Sequence, residues 1–124
     1  MDSMEKIFDT LDVCFHNRKF ADLRITLLDM EPLDIAYYME EKLDEKEKIM
    51  FFRLLPKELA SDVFIEIDTE TQESLIKSFT DKELKEVIDD MFLDDTVDMV
   101  EEMPANVVRR ILKNSSPENR KQIN

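Results

Sequence analysis

Residues 56–80, PKELASDVFIEIDTETQESLIKSFT, contain two short helical segments in tandem, and this arrangement decides the fold. The first segment opens at Pro56, which suits the first turn of a helix because its missing N–H has no partner to lose there. The second segment opens near Asp68. Each segment has about ten residues, and a helix of that length is only marginally stable alone in water. Both helices must therefore bury their apolar stripes against neighbours.

The same helix pair recurs along the chain, with a period of about 24 residues. The first helices open at Pro32, Pro56, Asp81 and Pro104, at spacings of 24, 25 and 23 residues. The second helices open near Asp44, Asp68, Asp94 and Pro117, at spacings of 24, 26 and 23 residues. Stacked helix pairs of this kind form a solenoid or superhelix. A compact bundle with evenly spaced loops is the alternative. In either case we predict an all-α protein with no sheet.

Several predicted helix starts carry capping residues. Asp44 with Glu47, and Thr80 with Glu83, match the capping box, in which two side chains satisfy each other's free backbone N–H groups. Ser116 precedes a proline and is expected to be an N-cap. Two further helices, over Ser3–Phe15 and Phe20–Asp29, are expected before the repeats. We therefore predict one domain over residues 1–124, with N-terminal helices in 1–30 and helix-pair repeats in 31–124.

The composition narrows the possible partners. The net charge is −13, so nucleic acid and anionic lipid are poor partners, whereas cations or a basic protein are better ones. The alternative is that the acidity only keeps the protein soluble. Glycine is absent, which excludes Gly-rich phosphate loops. No apolar run approaches the roughly 18 residues that span a bilayer, so we expect a soluble segment.

The residue types that most often carry catalysis are scarce. His16 is the only histidine, and it falls in a polar break where a solvated loop is expected. Cys14 is the only cysteine, and it falls on the apolar stripe of the first helix, where core packing is expected. We predict no enzyme. In the same way, four methionines among apolar neighbours are expected to fill the core. They are Met50, Met91, Met99 and Met103.

Residues 81–102 are the most acidic part of the chain, with ten acidic and two basic residues. Asp94 and Asp95 are expected to cap a helix start, which would explain part of this charge. Asp94 and Asp98, however, are four residues apart on one helix face, where like charges repel. Such a cluster indicates a cation or a basic partner, and oxygen ligands alone favour hard ions such as Mg²⁺ or Ca²⁺. The spacing does not match an EF-hand loop.

Three segments together resemble the cytosolic N-terminal domain of MgtE-type magnesium transporters. They are MEPLDIA at 30–36, LLPKELASDVF at 54–64 and LDDTVDMVEEMP at 93–104. They occur in the family's order, and the similarity extends from about Phe20 to Ile123. The resemblance implies a right-handed superhelix on the cytosolic side of a membrane protein. It also implies that CBS domains and a transmembrane magnesium channel follow, assembled as a homodimer, so we expect this chain to be one part of a longer protein.

The resemblance further implies that Mg²⁺ binds between this domain and the CBS domains and favours the closed channel. By motif position, its ligands here would be Asp94 and Asp98, with Asp62 as a third where relatives carry Glu. Binding to this domain alone is expected to be weak. The alternative is a helical protein-interaction module similar to FliG-type motor-switch proteins, in which the acidic residues recruit a basic partner and no metal binds.

Overall fold

A computed structural model describes residues 3–123, which form ten α-helices and contain no β-strand. The helices are α1 (Ser3–His16), α2 (Phe20–Leu28), α3 (Pro32–Lys42), α4 (Glu45–Arg53), α5 (Lys57–Glu66), α6 (Thr69–Ser78), α7 (Asp81–Asp90), α8 (Leu93–Glu101), α9 (Ala105–Lys113) and α10 (Pro117–Ile123). The predicted all-α class is confirmed. None of these described helices is long and apolar enough to cross a membrane.

From residue 44 onward, the helices begin in a regular register of 12 residues. The residues that immediately precede them are Asp44, Pro56, Asp68, Thr80, Phe92, Pro104 and Ser116. The predicted 24-residue period is thus two consecutive copies of a 12-residue unit, and each unit contains one helix and one short connection. The spacings looked uneven in the sequence because Asp81, Asp94 and Pro117 lie inside the first turn of their helices, one or two residues after the residue that precedes each helix.

Side-chain caps fix several of these starts, as the sequence predicts. Asp44 accepts the Glu47 N–H at 2.8 Å, and the Glu47 carboxylate accepts the Asp44 N–H at 3.0 Å. Thr80 and Glu83 form the equivalent pair at 3.1 and 2.9 Å. The Ser116 hydroxyl accepts the N–H of residue 119 at 3.2 Å. Each bond satisfies an N–H group that the helix itself leaves free, so the register is set locally.

The chain forms two compact units, Met1–Val63 and Phe64–Asn124, and the boundary falls within α5. Residues 1, 2 and 124, which the predicted single domain includes, lie outside the described part. That single domain and its superhelical arrangement stay predictions.

The first unit packs around a cluster of aromatic rings. Tyr38 is fully buried between Phe8 and Phe51, at ring-centroid distances of 5.3 Å to each. Its hydroxyl donates to the Asp12 carboxylate at 2.5 Å. Burial and this carboxylate together raise the pKa of Tyr38 far above its ordinary value. Cys14 is buried in the same unit, so its predicted core position is confirmed.

Two predictions for the first unit are wrong. His16 is not a loop residue, because it ends α1 and lies within 3.0 Å of the Glu47 carboxylate through Nε2. Met50 does not fill the core, because 52% of it is exposed. Neighbouring residues on an α-helix point about 100° apart, and Phe51 and Phe52 take the buried face of α4. The other three methionines are buried, as expected.

The second unit packs the apolar stripes of α6 to α9 together. Its buried apolar side chains are Phe64, Ile67, Leu75, Ile76, Phe79, Leu84, Val87, Ile88, Met91, Met99, Met103, Val107 and Ile111. The guanidinium of Arg110 on α9 donates to the carbonyls of Ile76 and Phe79, where α6 ends. It also lies 3.2 Å from the carboxylate of Asp81 on α7. One side chain therefore joins three helices.

Candidate functional site

Helix α8 carries the predicted ligands, and it begins without a side-chain cap. The N-cap residue is Phe92, which offers no side-chain hydrogen bond to the free N–H groups of the helix. Asp94 and Asp95 lie in the first turn, so the prediction that they cap the helix is wrong. They still lie at the positive end of the helix dipole, which favours negative charge by a few tenths to about 1 kcal/mol.

Asp94 and Asp98 lie side by side on the exposed face of α8, one helical turn apart. Both line an open depression of about 400 Å³, together with Leu93, Val97 and Gln122. Gln122 belongs to α10, which packs against α8. The structure thus brings these two predicted ligands together at one open depression.

No basic side chain in residues 3–123 forms an ion pair with Asp94 or Asp98. Elsewhere in the same unit carboxylates are paired: Asp89 lies 2.9 Å from Lys85, and Asp81 lies 3.2 Å from Arg110. The like charges on α8 therefore repel by a few tenths of a kcal/mol, and no basic side chain in the described part of the chain offsets this repulsion. A bound cation would remove that repulsion.

Asp98 also lines a second depression, of about 430 Å³. Its acidic residues are Asp95, Asp98 and Glu102, and its other lining residues are Ile65, Ile67, Thr69, Gln72, Met91 and Met99. Asp98 thus contributes to the lining of both depressions. The sequence did not indicate this groove, because its walls come from segments that are up to 37 residues apart in the chain.

The sequence matches the family described as the MgtE intracellular N domain over residues 30–124. The chain belongs to this family. The predicted resemblance is confirmed, and it covers α3 to α10, including the helix with Asp94 and Asp98. The family's description as intracellular agrees with the expected cytosolic location.

Two solved structures share the fold of this MgtE N domain. The crystal structure of the cytosolic domain of the Mg²⁺ channel MgtE in complex with ATP is 22% identical, with a TM-score of 0.79, and the match covers 94% of this chain and 48% of that one. The crystal structure of the soluble part of a magnesium transporter is 20% identical, with a TM-score of 0.83, and the match covers 98% and 48%. At such identities the likeness establishes the fold alone.

This MgtE N domain spans about half the length of either matched structure. No curated protein sequence matches it significantly.

The third predicted ligand, Asp62, is exposed on α5, in the unit that ends at Val63. Asp94 and Asp98 belong to the other unit of the MgtE N domain, and a metal-binding role for Asp62 stays a prediction. In residues 3–123, no group of three or more His, Cys, Asp or Glu side chains is arranged to hold a metal ion. A pair of carboxylates nevertheless fits Mg²⁺, which keeps several of its waters and commonly takes one or two carboxylates from a protein.

One feature beside the acidic pair went unnoticed in the sequence. Phe92 is 78% exposed, more than any other large apolar side chain described. The sequence contains a sign of this, because Phe92 occupies the position of the 12-residue register at which Asp44, Thr80 and Ser116 cap their helices. The replacement of such a cap by an apolar residue costs about 1 kcal/mol.

Proposed function

We propose that this chain is the cytosolic regulatory domain of a magnesium transporter and senses intracellular Mg²⁺ through Asp94 and Asp98. The observation that carries the proposal is the pair itself: two exposed carboxylates one turn apart, with no basic partner among the described residues, in a member of the MgtE intracellular N domain family. The two structural relatives, a Mg²⁺ channel and a magnesium transporter, support the same ion.

The chemistry of the pair suits a sensor better than a permanent metal site. Mg²⁺ gives up its waters reluctantly and requires near-octahedral oxygen geometry, so two carboxylates hold it loosely. Binding to this chain alone is expected on the order of millimolar. An ion held this weakly can leave when its concentration falls.

Further ligands would come from outside this chain or from Asp62. We propose that the CBS domains of the parent transporter offer acidic groups opposite α8, and that the transporter assembles as a homodimer. With abundant Mg²⁺, the ion joins two negatively charged surfaces that otherwise repel, and the docked arrangement biases the channel shut. The bias can be no larger than the difference in Mg²⁺ affinity between the two states.

A Mg²⁺ titration of the chain, followed by backbone amide NMR shifts, tests the binding. Amide signals of α8 are expected to move with a midpoint on the order of millimolar. The variant Asp94→Asn with Asp98→Asn should lose this response. The matched control is Glu86→Gln with Asp90→Asn, which removes an equally exposed i, i+4 pair from α7 and should keep it.

Gating is tested in the full-length transporter. The channel of the Asp94→Ala, Asp98→Ala variant should stay open at Mg²⁺ concentrations that close the wild-type channel. If Asp62 is a third ligand, Asp62→Ala should also raise the Mg²⁺ concentration at which the channel closes. If the double variant closes at the wild-type concentration, the two aspartates are not gating ligands. If a basic protein binds α8 and Mg²⁺ does not compete, the chain is an interaction module instead.

A further inference from the structure

The second depression, which we call the Glu102 groove, combines apolar side chains with acidic ones. All of its lining residues belong to the second unit. Its buried apolar residues are Ile67, Met91 and Met99, and its acidic residues are Asp95, Asp98 and Glu102. No lysine or arginine contributes to the lining. The groove therefore offers an apolar surface beside negative charge.

The three carboxylates form one stripe along α8. Asp95, Asp98 and Glu102 are separated by three and then four residues, so their positions differ by about 4.5 Å and about 6 Å along the helix axis. None of them forms an ion pair within residues 3–123. Glu102 is the C-cap residue, at the negative end of the helix dipole, where a further negative charge is unfavourable. Its carboxylate therefore opposes the stability of the helix.

A buried amide in the lining adds an unused acceptor. Gln72 is only 7% exposed, and its Nε2 donates to the carbonyl of Phe64 at 2.8 Å. This bond fixes the orientation of the amide, and no described residue donates to its Oε1. Since no fully buried polar side-chain atom in the described part lacks a partner, Oε1 is accessible where Gln72 lines the groove. An amide oxygen in such a confined position is stabilised by a donor from a ligand.

The lining selects an elongated organic cation over a compact ion. The stripe extends over about 10 Å of helix axis, too far for one metal ion to contact all three carboxylates, and a hydrated ion does not use an apolar surface. An extended chain gains about 1.2 Å per bond. Ammonium groups separated by three or four methylene groups are therefore about 5 Å or about 6 Å apart, and these distances match the two steps of the stripe.

We propose that the Glu102 groove binds a linear polyamine, an alkyl chain whose ammonium groups are three and four methylene groups apart. The ammonium groups pair with Asp95, Asp98 and Glu102, and one N–H donates to Oε1 of Gln72. The methylene groups cover the apolar part of the lining. This site does not depend on the Mg²⁺ sensing proposed above, and of the two aspartates in that proposal only Asp98 contributes to it.

Spermidine, titrated into the chain with isotope-labelled methionine methyl groups, tests the position of the ligand by NMR. The methyl signals of Met91 and Met99 and the side-chain amide signals of Gln72 should move together. The internal control is Met50, which is exposed in the first unit and should not respond. If the Met91, Met99 and Gln72 signals stay in place while other signals move, the polyamine binds elsewhere and the proposal is wrong.

Two other cations of the same charge test the recognition of the alkyl spacing. Hexaamminecobalt(III) is compact and has no methylene groups, and N-acetyl-trilysine amide carries its ammonium groups on separate side chains. Spermidine should reach its midpoint at a concentration about fivefold lower than either, because only its spacing matches the stripe. Equal midpoints would show that the groove recognises charge alone. A lower midpoint for the peptide would identify a basic protein as the ligand. Either result would overturn the proposal.

A matched pair of variants tests the acidic stripe. Glu102→Gln should raise the spermidine midpoint about fivefold, as expected for the loss of one partly exposed ion pair. The control is Glu101→Gln, which makes the same change of charge at an adjacent exposed residue outside the groove. It should change the midpoint by less than about twofold, because solvent screens its charge. Equal effects of the two variants would contradict the site.

The polyamine site and the Mg²⁺ sensor fail in different ways. Asp94 does not line the Glu102 groove, so Asp94→Asn should weaken the response of the α8 amide signals to Mg²⁺ and leave the spermidine midpoint unchanged. If Asp94→Asn weakens spermidine binding as much as Glu102→Gln does, spermidine occupies the proposed Mg²⁺ site and the groove proposal is wrong. If spermidine binds as expected while Mg²⁺ moves no α8 amide signal, the groove stands and the ion-sensing function is wrong.

Discussion

Replacement of Arg110 by alanine should destabilise the second unit more than any other single change at its surface. The guanidinium donates to the carbonyls of Ile76 and Phe79 at the C-terminal end of α6 and contacts Asp81 at the start of α7. The carbonyls at a helix end have no partner within the helix, and a cation is favourable at that negative end. Arg110→Ala removes the donor and leaves both carbonyls dependent on water.

The size of the effect follows from the exposure of each partner. A hydrogen bond from a charged donor contributes about 1.5–3 kcal/mol, but 28% of the Arg110 side chain is exposed, so water replaces part of the loss. The Asp81 side chain is 65% exposed, and such an ion pair contributes at most about 1 kcal/mol. We expect a total loss of about 3 kcal/mol, which lowers the melting temperature of a chain this size by about 10 °C.

Urea denaturation followed by circular dichroism measures this loss. Arg110→Lys should recover less than half of it, because one ammonium group cannot bridge the two carbonyls as the planar guanidinium does. The control is Arg109→Ala, next to Arg110 but exposed, which should change stability by less than about 0.5 kcal/mol. Two results would contradict this role of Arg110: unfolding of Arg110→Ala at the wild-type urea concentration, or an equal loss of stability in Asp81→Ala. The hydrogen bonds from Arg110 to the end of α6 would then not be the main contribution.

Three further outcomes are expected. The melting temperature should be higher in millimolar MgCl₂ than in NaCl of the same ionic strength, because a ligand that binds the folded state stabilises it. Equal melting temperatures would leave only charge screening. Tyr38→Phe should cost about 2 kcal/mol in urea denaturation, through loss of the hydrogen bond to the Asp12 carboxylate, and a loss below about 0.5 kcal/mol would show that this bond contributes little. The pKa of His16 is raised, mainly by its hydrogen bond to Glu47 and further by the Asp12 carbonyl. Protonated His16 should therefore stabilise the fold fully below about pH 6.5, and this stability should be lost as the pH rises through the higher folded-state pKa. The gain should stay below about 1 kcal/mol because half of the side chain is exposed. His16→Gln should remove this contribution to the pH dependence of the urea midpoint, and an unchanged pH profile would show that the His16–Glu47 contact contributes no stability.

The helical class, the helix starts and the family could be read from the sequence because their causes are local. A capping box joins residues three apart, as in Asp44 with Glu47, so its pattern is visible in a short window. The position of Asp94 and Asp98 on one face follows from helical spacing in the same way. The sequence was misleading at the start of α8, where Asp94 and Asp95 were expected to cap the helix. The N-cap is Phe92 instead, and both aspartates lie in the first turn.

The tertiary structure decided which side chains meet across the chain and which remain uncovered. Arg110 lies 34 residues from Ile76 in sequence, and Tyr38 lies 26 from Asp12. No periodicity predicts such pairs, because they depend on how whole helices pack. The exposure of Phe92 was decided in the same way: its backbone is fixed by Thr96, and no described helix packs over its ring. Local hydrogen bonds thus set where each helix begins, while burial of the apolar stripes determined which carboxylates and which ring were left facing water.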